Sequence, residues 1–143
     1  MAFRGNGQLQ LVTLDDIWIM ARTIFGEARG EDDIGRLAVA NVILNRWAKG
    51  FRNSIAGVCL QHAAFSCWLE NDPNRPVLDS IGISANSAIR ECFVIGLNAL
   101  NTNDDITFGS THYFNPKLAA PRWAAGHTQV FSHGRHIFFN DIK

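Results

Sequence analysis

A glutamate stands where an apolar helix face should continue. In Phe25-Gly26-Glu27-Ala28-Arg29-Gly30-Glu31, Glu27 follows Ile24 by three residues and Met20 by seven, a spacing that keeps helical residues on one side. Ile17, Met20, Ala21, Ile24 and Phe25 make that side apolar. A carboxyl group there is costly unless it is paired or carries its proton. A proton-bearing glutamic acid is what a glycosidase needs to protonate a leaving oxygen. The competing reading is an ion pair, Glu27–Arg29 or Glu27–Arg46, tying two helices together. Glu31 is different, because Asp32 and Asp33 follow it. Acids at a helix start are accounted for by the helix dipole, so a structural role at the turn is expected for Glu31.

Two further segments carry candidate chemistry. Phe65-Ser66-Cys67-Trp68 offers a thiol that would serve as a nucleophile with His112 or His136 beside it. The alternative is a structural cysteine, since free cysteine is among the most buried residue types. Phe65 and Trp68 either line a sugar groove or fill the core. Thr111-His112-Tyr113-Phe114-Asn115-Pro116 holds the one tyrosine of the chain. Strand alternation puts Thr111 and Tyr113 on one face and His112 on the other. Tyr113 can orient a substrate hydroxyl, hydrogen-bond a carboxyl, or serve as core filler. Four of the five histidines, His112, His127, His133 and His136, fall in the last third. His133-x-x-His136 without a fuller ligand pattern is weak, so no metal is expected. Phosphate-binding glycine loops and a Gly-x-Ser-x-Gly elbow are missing too, and no cofactor is expected.

These residues need a scaffold, and 143 residues provide one domain. An apolar fraction of 47% with 18% charged residues is globular composition and argues against disorder. Thirteen basic residues balance thirteen acidic ones, which removes the basic excess of a nucleic-acid binder. Cys59, Cys67 and Cys92 are an odd set without framework spacing and read as reduced thiols. Residues 1–14 read as a flexible lead-in. A helix begins at Asp15-Asp16, with Gly26 and Gly30 bracketing its end. A second, mostly buried helix follows at once, with Glu31, Asp32 and Asp33 in its first turn, and stops at Lys49-Gly50. Residues 51–69 read as a short helix and loop, and 70–80 as a surface excursion. A third long helix spans about Ser84 to Leu100. Thr107 to Phe114 and Gln129 to Asn140 have strand texture. The expected class is α+β, mainly α, with a small C-terminal ribbon or sheet.

In chain order these segments resemble the SleB-type cell-wall hydrolases, a family named for a spore cortex-lytic enzyme and also found in phages. The resemblance runs from Ala21–Glu31 through Gly35, Ala38–Arg46, Phe65–Trp68, Asp105–Tyr113, Pro121 and Trp123 to Gly134–Phe138. It covers about residues 16–139. It implies a lysozyme-like domain, over residues 15–140, that acts on the β-1,4 bond between N-acetylmuramic acid and N-acetylglucosamine. Glu27 takes the place of the family's essential acid. Spore-type members act as lytic transglycosylases, in which one glutamic acid suffices and the product carries a 1,6-anhydro ring. The residues expected to contact glycan are Tyr113, His112, Thr111, Phe65, Ser66, Trp68, Trp123 and Asn45, with Glu31, Asp105 and His136 as secondary candidates. Phe25 and Phe139 stand where tyrosine is common, Ile106 where proline is expected, and Ala64 where glutamine is common.

Three alternatives remain at this level. Asp104 or Asp105, facing Glu27 across a groove, would activate water and make a hydrolysing muramidase. A groove that grips without cutting would make a binding module. A Cys67-dependent amidase or peptidase is the third. No signal peptide or membrane span is visible. The expectation is therefore a soluble monomer made in the cytoplasm, without stable membrane insertion. It would act in the periplasm or cell wall after release, as a phage endolysin does with a holin. Peptidoglycan glycan strands are the expected partner, and nucleic acid is not.

Overall fold

Thr13 and Asp16 start the first helix reciprocally. The Asp16 N–H donates to Thr13 Oγ1 at 3.1 Å, and the Thr13 N–H donates to Asp16 Oδ2 at 3.0 Å, a capping-box arrangement that satisfies donors left open at a helix start. The computed structural model describes residues 2–5, 8–28, 30–80 and 87–143, with 2–5 and 8–10 described by their backbone. Helix α1 spans Leu14–Ala28 and α2 spans Asp33–Ala48. Asp32 caps α2 by accepting from the Gly35 N–H at 2.9 Å. Short helices α3 (Ile55–Leu60) and α4 (Arg75–Ser80) follow, then α5 (Ser87–Leu100). The start expected for this last helix, Ser84 and Ala85, lies outside the described residues, as does Arg29 of the expected Glu27–Arg29 pair.

The apolar faces meet in one main cluster. Met20, Ala21 and Ile24 of α1 pack with Val39, Ala40 and Ile43 of α2, Val58 of α3, and Ile89 and Cys92 of α5. Gly96 lets α5 approach α1 closely, since a Cβ there would lie 2.9 Å from Met20 Cε. Burial at the roughly 1.5–3 kcal/mol expected per large side chain makes this cluster the main source of stability. Among the described residues no helix is long and apolar enough to cross a membrane.

The C-terminal part is a three-stranded antiparallel sheet in the order β3–β5–β4, where β3 is His112–Phe114, β4 is Phe131–His133 and β5 is His136–Phe139 (β1 and β2 are given below). Tyr113 pairs with Phe138, and Phe138 with Phe131. Phe138 packs with Ala38 and Val42 on α2. That contact joins the sheet to the helices and fixes where β3 presents its side chains.

Three sequence expectations change. Residues 2–11, read as a loose lead-in, hold an antiparallel pair, β1 (Ala2–Gly5) and β2 (Gln8–Leu11). The end of α1, at Ala28, falls between Gly26 and Gly30 as expected. The excursion at 70–80 contains α4, whose Leu78 is fully buried and whose Val77 packs on the same core; two adjacent apolar side chains in a polar stretch dock it. The strand expected over Thr107–Phe114 is confined to its last three residues. Asp105 takes the backbone N–H groups of Thr107 and Gly109, both at 2.8 Å, which keeps them out of a ladder.

Candidate active site

The last turn of α1 carries Glu27 to a point where three other elements converge. Glu27 is half-buried. The Tyr113 hydroxyl, from β3, donates to Glu27 Oε1 at 2.6 Å. The Cys67 N–H, from the 3₁₀ turn Ser66–Trp68, reaches Glu27 Oε2 at 3.4 Å. Gly26 makes this approach possible, because a Cβ there would sit 2.7 Å from Cys67 Cβ and 2.8 Å from its Sγ. Burial, then the adjacent Glu27 carboxylate, pushes the Tyr113 hydroxyl well above the ordinary phenol range. Tyr113 is therefore a neutral donor at any working pH.

Arg46 supplies positive potential beside this pair. It is buried at 8% exposure on α2, its Nε donates to the Thr111 carbonyl at 2.6 Å, and its guanidinium lies over the Phe65 ring at 4.9 Å. Its charge acts on both Tyr113 and Glu27. The competing sequence reading named Arg46 as an ion-pair partner only. A cation placed just after the apolar run Val42-Ile43-Leu44 was the available signal that it belongs to a site.

Tyr113 and Arg46 line a concavity with Phe51, His62, His112 and Trp123. His62 also borders a second one, lined by Trp68, Asn71 and Arg75. The two share His62, and the first, lined by Tyr113, is the candidate groove beside Glu27. The His112 ring packs on Trp123 with centroids 5.0 Å apart. Burial, then the charges of Arg46 and Lys49, lowers the His112 pKa to about 4, so it is a neutral hydrogen-bonding group near pH 7. Trp68 holds its place through an Nε1–H bond to Thr23 Oγ1 at 2.9 Å. Ser66 is exposed. Phe51 and His62 were not anticipated, since nothing in their local spacing marks them.

Other expected contacts lie behind the groove wall. Thr111 is fully buried and Phe65 is 2% exposed, so both shape the wall without presenting surface to a ligand. Asn45 uses its amide to bind Asp105 Oδ2 at 2.7 Å and the Ser110 carbonyl at 2.9 Å, which makes it a clamp on the 105–110 loop. Asp105 also accepts from Thr107 Oγ1 at 2.7 Å. Burial alone would raise its pKa, but the bonds from Thr107, Asn45 and Gly109 outweigh it and hold the carboxyl below its ordinary value. Asp104 is exposed. The Glu31 side chain is 8% exposed; its Oε1 accepts from the Arg135 N–H at 3.3 Å and lies 3.3 Å from His136 Nδ1. Cys67 is buried, and burial followed by Glu27 pushes its thiol strongly up. A thiolate nucleophile needs the opposite environment.

The chain is similar to known proteins over most of its length. The family model described as Cell Wall Hydrolase matches residues 30–139. Among curated proteins, a spore cortex-lytic enzyme of Halalkalibacterium halodurans is 35% identical over 127 residues, covering 88% of this chain and 35% of that protein. The spore cortex-lytic enzyme of Bacillus subtilis is 34% identical over 125 residues, covering 87% and 37% respectively. This chain thus spans little more than a third of the length of those two relatives. Among solved structures, the catalytic domain of the Bacillus cereus SleB protein aligns with a TM-score of 0.74 at 31% identity, over 91% of this chain and 93% of that one. The catalytic domain of the germination-specific lytic transglycosylase SleB from Bacillus anthracis aligns with a TM-score of 0.69 at 33% identity, over 89% and 95%. With its helical core, its small sheet and these matches, the chain belongs to the cell wall hydrolase family and has the lysozyme-like fold of the SleB catalytic domains.

Proposed function

We propose that this domain cleaves the β-1,4 bond between N-acetylmuramic acid and N-acetylglucosamine in peptidoglycan as a lytic transglycosylase, with Glu27 as the acid and then the base. The supporting observation is the unequal bonding of the Glu27 oxygens. Tyr113 holds Oε1 at 2.6 Å, whereas the Cys67 N–H, the backbone donor to Oε2 among the described residues, stands off at 3.4 Å. Oε2 is then the oxygen that carries the proton. Glu27 lies three residues before the matched family segment, so its role rests on this geometry and on the motif around it.

In the first step Glu27 gives its proton to the glycosidic oxygen as the bond from C1 breaks and positive charge develops on the muramoyl ring. The carboxylate left behind takes the proton from the ring's own 6-hydroxyl. That oxygen then bonds to C1, closing the 1,6-anhydro ring, and no water is consumed. The neutral surface of His112 and Trp123 suits a sugar face, which stacks on aromatic rings without needing charge.

A hydrolysing muramidase needs a second carboxylate free to activate water. Asp105 spends both oxygens on its loop and on Asn45, and the Glu31 side chain, 8% exposed, is turned to the β4–β5 hairpin. This favours the anhydro route.

Mass spectrometry of digested peptidoglycan tests the proposal. Muropeptides ending in 1,6-anhydro-muramic acid, missing with Glu27→Gln, are expected. Reducing muramic acid ends would mean hydrolysis, and intact glycan in both samples would leave binding or peptide cleavage. Cys67→Ser should keep glycan cleavage, whereas its loss with Glu27→Gln still active would move the chemistry to the thiol. A setting as a phage endolysin is a separate part of the proposal, checked by whether co-expression with a holin makes host lysis depend on Glu27.

A further inference from the structure

Behind the groove, a second glutamate reaches toward the first through two rings. The Glu31 side chain is 8% exposed and sits under the turn of the β4–β5 hairpin. Gly134, at φ +56°, packs on it so closely that a Cβ would lie 2.8 Å from Glu31 Oε2. The Arg135 N–H and the His136 Nδ1 both meet Glu31 Oε1 at 3.3 Å, and Arg135 Nε lies at 3.5 Å. The His136 side chain is 14% exposed, and its ring stands edge-on to that of Tyr113, with centroids 5.0 Å apart and planes at 75°. Tyr113 also stacks on Phe138 at 5.3 Å, and the His136 and Phe138 rings lie 6.4 Å apart. Its ring thus sits in the corner formed by two β5 rings while its hydroxyl points at Glu27.

A helix-dipole role for Glu31 does not account for this placement. Asp32 already caps α2, and an acid serving the dipole alone gains nothing from burial against a distant hairpin. A carboxylate that accepts an imidazole N–H fixes the ring's tautomer and orientation, as it does for histidines in many sites. Burial lowers the His136 pKa despite Glu31 and Glu27. The ring turns its Nδ1 to Glu31, 3.3 Å from Oε1.

We infer that Glu31 and His136 are a positioning pair for the Tyr113–Glu27 couple: Glu31 orients His136, and the His136 ring holds Tyr113 where its hydroxyl meets Glu27 Oε1. This rests on the acid–base role proposed for Glu27, and neither residue touches the reacting atoms. A shift of about 1 Å in a group that orients a catalytic acid typically costs about a hundredfold in rate.

The chain has one tyrosine, so a ¹³C label at the tyrosine Cζ gives one resonance that reports the Tyr113 hydroxyl. Glu27→Gln should move it by removing the acceptor's charge. His136→Ala and Glu31→Ala should move it in the same direction, and kcat on peptidoglycan should fall about tenfold to a hundredfold with KM little changed. His136→Phe keeps a ring without the donor and should recover part of both signals. A fall in activity with the resonance unmoved in the His136 and Glu31 variants overturns the inference, as does no change in either. A Glu27→Gln variant that leaves the resonance in place also overturns it, since there is then no couple to position. If the alanine variants do not fold, Glu31→Gln and His136→Phe are read by the same resonance. If the native protein cuts no glycan, the functional reading fails while the resonance still decides the positioning.

Discussion

Glu27 and Asp105 are both half-buried carboxylates met by a hydroxyl and by backbone N–H groups, yet they are held in opposite ways. Asp105 receives two bonds on each oxygen, all between 2.7 and 2.8 Å. That nearly fills the lone-pair capacity of a carboxylate. Glu27 receives one short bond on Oε1 and one long contact on Oε2. The partners differ in origin as well. Three of the four donors to Asp105 lie within four residues of it, whereas those to Glu27 lie 40 and 86 residues away. A carboxylate saturated by its own loop is scaffold. One left with an open oxygen by elements brought from a distance can do proton chemistry.

The largest expected effect is at Glu27. Replacement by Gln keeps the shape and should reduce glycan cleavage by about 10²–10⁴-fold, with little change in Tm. Asp105→Ala should do the reverse, costing about 2–3 kcal/mol in urea unfolding because two backbone donors and Asn45 lose a charged acceptor, while folded protein keeps its activity. An Asp105 variant that folds normally but cuts nothing would break the comparison and make Asp105 a second catalytic carboxylate. Tyr113→Phe should be milder, with kcat down about tenfold, equivalent to one hydrogen bond of about 1.4 kcal/mol. Equal activity would mean that the short bond does not set the acid's position.

The smallest expected effect is on pH. His112 is held at about 4, while the ordinary value is 6.5. Between those limits the unfolded chain binds more protons than the folded one, so stability falls as the pH drops from 6.5 toward 4 and levels off below. The ring is partly exposed, so after allowance for solvent screening the loss is about 1 kcal/mol. The Tm difference between pH 7 and 4.5 should be larger for the native protein than for His112→Gln. Equal differences would take His112 out of the buried groove floor and leave the groove's charge balance to Arg46.

Much of the helical framework was legible because its signals are local. Asp15-Asp16, Asp32 and Lys49-Gly50 mark helix ends through the chemistry of exposed backbone donors and acceptors. The apolar spacing from Ile17 to Phe25 gives the face of α1 directly. Local rules failed where one side chain competes with the backbone. Asp105 captured the N–H groups that the β-rich composition of Thr107–Phe114 would have placed in a strand. The β1–β2 pair had a signal that went unused, the Asn6-Gly7 dipeptide between two short segments, which favours tight hairpins. Val77 and Leu78 show the converse case, where a polar stretch docks through two adjacent apolar side chains.

The sequence by itself determined which residue types could react and the order in which they come. It put a carboxyl group at the end of an apolar helix face, the one tyrosine on an alternating segment, and the motif order that marks the family. Only the tertiary structure decided their relations. Tyr113 meets Glu27 because β3 pairs with β5 and Phe138 of β5 packs on α2. Cys67 meets it because Gly26 leaves no Cβ in the way. Phe65 and Thr111 went behind the wall, and Asn45 went to Asp105, for the same reason. Contacts across tens of residues depend on how faces pack, and periodicity within one element carries no record of which distant element will cover it.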